Sequence, residues 1–517
     1  MVAPRRELAE LCRDIVTVPS GIEVSDVTLD SRRVERGGLF LACAGRRTHG
    51  LAALSQALER GARAVLWEPV EGLAPPVLPA EVHASAVVGL STMASRIAGR
   101  FFDQPAESLR IAGITGTNGK TTTAWLLAAA LERLGTPAAY MGTLGVGRVP
   151  DAVVPGEYTT ADAVSVQRQL AAVRAAGADC IAMEVSSHAL DQHRVADVRF
   201  RVAAFTNLTR DHLDYHGTME AYGAAKARLF SMPHLESCVF NVDDAFGAQL
   251  ALRSATTLPL VLTGRSAAAR QTLQSCLERD VRTRAIFARD ARTLPQGLRF
   301  VIEVSDESAR STQFEVTVPL VGDFNVDNAL TTLGVLLALK VPMQRAIDAL
   351  AVVTAPPGRM EAIVGEGRAM AIVDYAHTPD ALAKALRAAR AHCSGKLLVV
   401  FGCGGDRDVG KRPLMAAVAA SMSDAIVITD DNPRSEPPAG IVADILAGLP
   451  QGVRATVLHD RAEAIRHAID AARVGDVVLV VGKGHEDYQI IGTERRPFSD
   501  RAVIRAVYAK SGSGVRH

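Results

Sequence analysis

The chain has 517 residues, 48% hydrophobic and 22% charged, the make-up of a globular protein too long for one ordinary core, so two or three domains are expected. Lysine and arginine total 57 against 56 acidic residues, and the net charge of +1 argues against a nucleic-acid-coating role while leaving room for a local basic site. Seven cysteines without a Cys-x-x-Cys pair suggest neither a disulfide framework nor a zinc site, and the lack of a signal core or of any run of roughly 18 apolar residues points to a cytoplasmic protein with no membrane span.

The first block, to about residue 90, holds short strands at 38–42 and 64–67 and a Pro-rich connector at 73–79. A helix near 91–102 and the turn Asp103-Gln104-Pro105 lead into a second block, 91–354. Strands are expected there at 109–115, 178–185, 202–208 and 238–243, with helices between them. Near-continuous apolar strands alternating with helices indicate a parallel sheet covered on both faces. The stretch 265–320 is less periodic and reads as shorter antiparallel strands, followed by a helix near 326–339. Ala355-Pro356-Pro357-Gly358 reads as a hinge. The third block, 355–517, repeats the alternation, with strands at 369–375, 396–402, 424–429, 454–459 and 476–481 and helices at 379–392 and 461–473. It reads as a separate doubly wound domain.

Gly116-Thr117-Asn118-Gly119-Lys120-Thr121-Thr122 lies between the 109–115 strand and a helical pattern carrying Trp125, Leu127, Ala128, Leu131 and Leu134. Strand, Gly-rich turn, Gly-Lys-Thr and helix are the context a phosphate-binding loop needs. The glycines let backbone N–H groups turn toward phosphate oxygens, and the helix N-terminus adds partial positive charge. Lys120 can reach the terminal phosphates and Thr121 can hold Mg²⁺, so ATP or GTP is the expected ligand. The spacing is a variant, Gly-x-x-Gly-x-x-Gly-Lys-Thr, because Ile114 stands where the commoner pattern has its first glycine.

Other polar groups cluster at strand ends. Glu184 closes the apolar run 181–183, where it reads either as a Mg²⁺ ligand or as a solvated strand-end acid. Asp211, His212 and Asp214 follow the 202–208 strand; they suggest ligand or metal contacts, and Asp214 and His216 read equally well as helix caps. Lys226, read alone, is a surface helix lysine. Asn325 and Asn328 could place two amides near a base or sugar, and Arg359, just after the hinge, could reach phosphate. In the third block Asp374 to Pro379, Gly402 to Asp408, Asp431 to Arg434 and Gly482 to Glu486 put polar side chains at four strand ends, the ligand edge of such a sheet.

From Leu29-Asp30-Ser31-Arg32 to Tyr488, the order and spacing of these motifs resemble the Mur ligases, ATP-dependent amide-bond-forming enzymes of peptidoglycan assembly. Within them the chain is most similar to members that add meso-diaminopimelate to UDP-N-acetylmuramoyl-L-Ala-D-Glu. The resemblance implies an α/β chain of three domains: a UDP-binding α/β domain, a central P-loop ATPase-like parallel sheet and a C-terminal Rossmann-like doubly wound domain. It implies that Leu29, Ser31 and the Arg46-Arg47-Thr48 turn contact the UDP end. Thr159, Thr160, Ser186, Gln192 and Arg194 would bind the muramoyl-peptide. Thr121, Glu184 and His212 would hold Mg²⁺ together with a carbamoylated Lys226. Asn328, Arg359, Asp374 and His377 would help hold ATP. Arg407, Asp431, Asn432, Pro433, Arg434, Gly482 and Glu486 would bind the incoming amino acid. The extra carboxylate of diaminopimelate can pair bidentately with Arg434 and Arg407. The implied chemistry is an acyl phosphate on the D-glutamate γ-carboxylate, with Lys120, Arg359 and Mg²⁺ stabilising the moving phosphoryl group. A monomer is expected, with no nucleic-acid or membrane partner.

Two other readings compete. A folylpolyglutamate-synthetase-like ligase shares the loop and the acyl phosphate, but would lack the N-terminal block and the Asp431-Asn432-Pro433-Arg434 motif. A non-catalytic nucleotide-binding regulator would have no need of Lys120, Glu184, His212 and Lys226 together.

Overall fold

The computed structural model describes residues 5–46, 48–150, 152–156, 158–254, 257–278, 282–305 and 310–512. They form two compact units. One is built from the described residues up to Ala285 with Thr331–Met343; the other from Ile286–Ser305, Arg310–Leu330 and the described residues from Gln344 onward.

The first unit opens with a parallel sheet of Val27–Thr28, Leu39–Ala42, Ala64–Trp67 and His83–Ala86. Alternation along Leu39-Phe40-Leu41-Ala42 divides its core: Leu39 and Leu41 pack with Leu90, Ile97 and Phe101, while Phe40 and Ala42 pack with Val65 and Trp67. Its larger sheet runs in the order Ala152–Val154, Gly145–Arg148, Ala138–Gly142, Cys180–Glu184, Arg110–Thr115, Phe200–Phe205, Ser237–Asn241, Leu260–Gly264. From Ala138–Gly142 onward neighbouring strands in that order are parallel, as the apolar runs require. Glu184, Thr115 and Phe205 thus end three adjacent strands at one edge of the sheet.

The expectation for 265–320 needs correction. Ala267–Leu277 is a helix, started by Ser266, whose hydroxyl accepts from the Ala269 N–H at 3.1 Å. The strands that follow, Thr283–Leu294, Gly297–Ser305 and Ser311–Val318, are long rather than short, and the last two pair antiparallel.

The second unit carries a sheet in the order Glu361–Ile363, Met370–Asp374, Val477–Val481, Leu397–Phe401, Ala425–Ile428, Thr456–Val457. Only the Glu361–Ile363 edge is antiparallel. Helices cover both faces: Val399 and Phe401 belong to one core, Leu398 and Val400 to the other. The last strand in chain order, Val477–Val481, inserts between Met370–Asp374 and Leu397–Phe401, so the four polar strand ends read from sequence become neighbours. Among the described residues no helix is long and apolar enough to cross a membrane.

Candidate active site

The loop after Arg110–Thr115 turns through Gly116 and Gly119, at φ 146° and 84°, and the Lys120–Arg133 helix starts at once. A Cβ on Gly116 would collide with the Thr206 hydroxyl, so this position takes no side chain. The adjacent strand end pins the loop: Asn207 O accepts from Thr117 N at 2.8 Å, Asn207 Oδ1 from Asn118 N at 2.9 Å, and Thr206 Oγ1 donates to Asn118 O at 2.6 Å. The sequence alone does not single out Thr206 and Asn207; their signal is their place just beyond an apolar strand beside the loop. Ile114 departs from the commoner loop because it is still strand, fully buried and in register with Glu184. Thr122 is buried on the first turn of the helix. That turn presents N–H groups without intrahelical acceptors, directly after Gly119.

Glu184 is no solvated acid: it is 1% exposed. Its carboxylate accepts from Thr121 Oγ1 at 2.9 Å, Thr143 N at 2.9 Å, Thr143 Oγ1 at 3.3 Å and the Tyr140 hydroxyl. The structure therefore joins Thr121 and Glu184 into a pair of hard oxygen donors beside the loop.

Lys226 is likewise not on the surface. It sits in the Met219–Ala227 helix, is 1% exposed, and donates to the Gly116 carbonyl at 2.7 Å. Lys120 curls back onto the same carbonyl at 2.9 Å and onto Thr117 O at 2.9 Å. Burial first, then the positive charge of Lys120, pushes the Lys226 ammonium down to about 6. Tyr222 organises this corner. Its ring lies 4.4 Å from Lys226 Nζ, its hydroxyl is 3.2 Å from Thr117 Oγ1, and burial pushes the phenol up to about 12.

His212 is exposed, in the left-handed region at φ 52°. Its ring stands 4.9 Å from that of His188 and 6.0 Å from that of Tyr222, and no hydrogen bond joins it to Glu184. His216 completes this group, 5.4 Å from His188. Burial, with the neighbouring His212, His216 and Arg194, pushes His188 down to about 4. Among the described residues no group of three or more His, Cys, Asp or Glu is arranged to hold a metal.

The same unit contains a cavity of about 800 Å³ whose lining includes Leu29, Arg46, Gln192, Arg194 and Tyr215. Arg46 stacks on Tyr215 at 4.1 Å. A hydrogen-bond chain leads from this cavity to the loop. Gln192 donates to the Tyr215 hydroxyl at 2.9 Å, and Arg194 donates to Gln192 Oε1 at 2.6 Å and to Thr160 O at 2.8 Å. Thr160 Oγ1 in turn donates to Glu184 O at 2.9 Å. Thr159 joins through Thr143 at 3.0 Å, while the Ser186 hydroxyl caps the Ser187–Asp191 helix. Ser31 is buried against Gln56 at 2.7 Å and does not line the cavity; Thr48 is exposed. Arg47 lies outside the described residues.

In the second unit, Arg359 lies 4.9 Å over the Tyr375 ring, and its buried Nε has no hydrogen-bond partner among the described residues. Asp374 accepts from Met360 N at 2.8 Å and Ala376 N at 2.9 Å; burial raises its carboxyl despite these donors and Arg359. His377 is exposed, with Nδ1 2.9 Å from Tyr375 O. Asn328 is buried and donates to Asn325 Oδ1 at 2.7 Å.

The remaining strand ends close on one another. Gly405 N donates to Asn432 O at 2.9 Å, and Arg434, at φ 51°, donates through Nη1 to Gly405 O at 2.7 Å. A Cβ on Gly405 would strike the Pro433 carbonyl, and one on Gly482 would come within 2.7 Å of Asp431 Oδ2. Glu486 accepts from Asn432 Nδ2 at 3.0 Å. Arg407 is exposed at the rim. At the base lies Lys483, whose role is not evident from sequence; a lysine between two glycines at the end of an apolar strand is its only signal there.

A phosphate-binding loop on a parallel sheet, a substrate-sized cavity joined to it by hydrogen bonds, and a separate doubly wound unit define a nucleotide-dependent group-transfer enzyme. Three family descriptions match in succession: the Mur ligase family catalytic domain over 23–102, the Mur ligase middle domain over 114–336 and the Mur ligase glutamate ligase domain over 358–484. The chain belongs to the Mur ligase family. It is 46% identical over 486 residues, 93% of its length and 94% of the relative's, to the UDP-N-acetylmuramoyl-L-alanyl-D-glutamate–2,6-diaminopimelate ligase of Ectopseudomonas mendocina. It is 45% identical over 511 residues, 98% of its length and 99% of the relative's, to the protein of the same name from Xanthomonas campestris. A solved structure of a ligase of that name superposes with a TM-score of 0.69 at 33% identity, covering 98% of this chain and all of the other.

Proposed function

We propose that this chain joins meso-diaminopimelate to the D-glutamate γ-carboxylate of UDP-N-acetylmuramoyl-L-Ala-D-Glu, using ATP and passing through an acyl phosphate. The observation carrying this reading is the assembly of Arg434 with Asp431, Asn432 and Glu486 at adjoining strand ends, in a chain matching ligases of that name over nearly its whole length. The match over 23–102 favours it over a folylpolyglutamate-synthetase-like ligase. The working division is 1–90 for the UDP end, 91–354 for ATP and 355–517 for the amino acid, with 355–358 as hinge. A cytoplasmic monomer is part of the same proposal.

The residues fit the groups such chemistry needs. Thr121 and Glu184 supply the few hard oxygens that Mg²⁺ takes from protein when phosphates complete its shell, and His212 would approach from its loop. The ion would neutralise charge on the phosphates. Gly116, Thr117, Asn118 and Gly119 form the cradle, and the unpartnered Nε of Arg359 is a donor suited to phosphate. Lys226 has the uncharged, buried amine that adds to CO₂, giving an N-carboxylate and releasing a proton; the new anion would face Lys120. The γ-carboxylate displaces ADP from the terminal phosphoryl group. The diaminopimelate amine then attacks the acyl carbon, and phosphate leaves as the amide forms. Gln192, Arg194 and Thr160 hold the muramoyl-peptide so that two anions meet in line.

The test is phosphate release from ATP with the UDP-muramoyl-dipeptide and meso-diaminopimelate, L-lysine or L-ornithine side by side. Release that needs both the dipeptide and diaminopimelate supports the reading; equal use of lysine, or release without either substrate, overturns it.

A further inference from the structure

Lys483 is completely buried, at 0% exposure, at the base of the strand-end cluster of the second unit. Its Nζ donates to Tyr488 O at 2.7 Å, Asn432 Oδ1 at 2.9 Å and Glu486 Oε2 at 3.4 Å, and stands 3.5 Å from Asp431 Oδ1. The two carboxylates it faces are the two acids of the amino-acid site, and the amide it fixes is the one that donates to Glu486. Because its carbonyl accepts from Lys483, the Asn432 amide must turn its N–H₂ toward Glu486. The same carbonyl also takes the Ile490 N–H at 2.9 Å, tying in the Tyr488–Ile491 strand.

The charges decide what this cation does. Asp431 and Glu486 bring two negative charges into a buried corner, and Lys483 cancels one. Two other cations buried in this unit are already committed, Arg461 to Asp500 at 2.7 Å and Arg412 to Glu436 and Asp444 at 2.8 and 2.9 Å. One net negative charge is left toward the ligand, with the Arg434 guanidinium held separately on Gly405 O. That is the complement of an amino-acid end bearing one ammonium and one carboxylate. Without Lys483, two carboxylates would share the corner with no cation set between them.

The geometry points to Lys483 as a positioning and specificity-determining residue for the incoming amino acid: it orients Asn432 and Glu486 and sets the charge that receives one substrate ammonium. This rests on the proposed ligation of diaminopimelate and deepens it. It separates from a purely structural role because it confines the effect to one substrate and makes it reversible by charge.

The experiment is steady-state kinetics of the full chain with each substrate varied in turn, alongside thermal melting. Lys483→Met should raise KM for meso-diaminopimelate about a hundredfold, in line with an uncompensated buried charge. KM for ATP and for the UDP-dipeptide should stay within about twofold, and kcat should fall less than the diaminopimelate KM rises. Adding Asp431→Asn to Lys483→Met should recover about tenfold of that loss by rebalancing the charge. An unchanged diaminopimelate KM, an equal rise in all three KM values, or a double variant no better than the single overturns the inference. If Lys483→Met does not fold, Lys483→Gln carries the same expectations, and failure of both to fold overturns it by making Lys483 a folding residue. Wild-type turnover with diaminopimelate is the separate control on the function. If the wild type uses another amino acid, the proposed ligation of diaminopimelate fails, and the same kinetics with that amino acid varied decide the role of Lys483 independently.

Discussion

Lys226 and Lys120 converge on one acceptor, the carbonyl oxygen of Gly116, at 2.7 and 2.9 Å. Two amines sharing one neutral oxygen in a buried corner cannot both hold a proton cheaply, and the more buried Lys226 yields, its ammonium pushed down to about 6. Lys120 has a second acceptor in Thr117 O and stands at the N-terminus of its helix, where a cation is unfavourable without an anion. The corner is thus set to receive negative charge in two forms: phosphate at Lys120 and a carboxylate built onto Lys226.

Lys120→Ala should abolish ligation, with phosphate release falling by at least about a thousandfold, as when a main donor to a developing charge is removed. The fold should survive, because the change removes a repulsion rather than a packed side chain. Phosphate release and thermal melting on the same preparation check both halves, and near-normal turnover would take the loop out of the mechanism.

Lys226 should carry CO₂ when bicarbonate is present. Carbon-13 NMR with labelled bicarbonate should show a carbamate resonance that Lys226→Ala lacks. That variant should be inactive, and a short added carboxylic acid should restore part of the activity by supplying the missing anion. An active wild type with no carbamate signal would remove the modification from the mechanism.

What is legible in the sequence follows from range. The loop is legible because strand, glycines, lysine and helix are consecutive. Glu184 and Lys226 are ambiguous because their partners are far along the chain: Thr143 lies 41 residues from Glu184, and Gly116 lies 110 residues from Lys226. A lysine in a short helix reads as solvated until the fold sets that helix against the loop. Lys483 stays hidden for the same reason, since Asn432, 51 residues away, gives it meaning. At 267–277 the difference is local: Ser266 is a helix cap whose signal is outweighed by the weak periodicity of the region.

His392 gives a pH test in the second unit. Its Nε2 accepts from Gly322 N at 3.0 Å and its Nδ1 lies 2.7 Å from Leu294 O, so the neutral ring with the proton on Nδ1 satisfies both. Burial pushes it below its ordinary 6.5. The unfolded chain therefore binds a proton that the folded one does not, in the window from 6.5 downward to the lower folded value, and stability there falls as pH falls. Melting of wild type and His392→Gln between pH 7.5 and about 5 should show the steeper loss in wild type. Parallel curves would mean that His392 does not titrate differently on folding.

Arg434 tests the choice of amino acid. L-lysine lacks the distal carboxylate of meso-diaminopimelate, so a guanidinium set for that carboxylate would lose its charged partner when lysine binds. Losing one partner of a buried charged pair costs about 3–5 kcal/mol, roughly a hundredfold to several-thousandfold in kcat/KM. Arg434 is only half-buried and keeps Gly405 O as a partner, which places the expected loss at the lower end. Arg434→Ala should therefore lower kcat/KM for diaminopimelate by about a hundredfold. It should leave the already poor use of lysine nearly unchanged, because the emptied pocket gains no contact that favours lysine. The gap between the two amino acids then narrows without producing a good lysine ligase. Arg434→Lys should recover only part of the loss, since an ammonium cannot reproduce two parallel N–H donors to one carboxylate. Intact diaminopimelate kinetics in Arg434→Ala, or equal use of both amino acids by the wild type, would refute this account of the pocket.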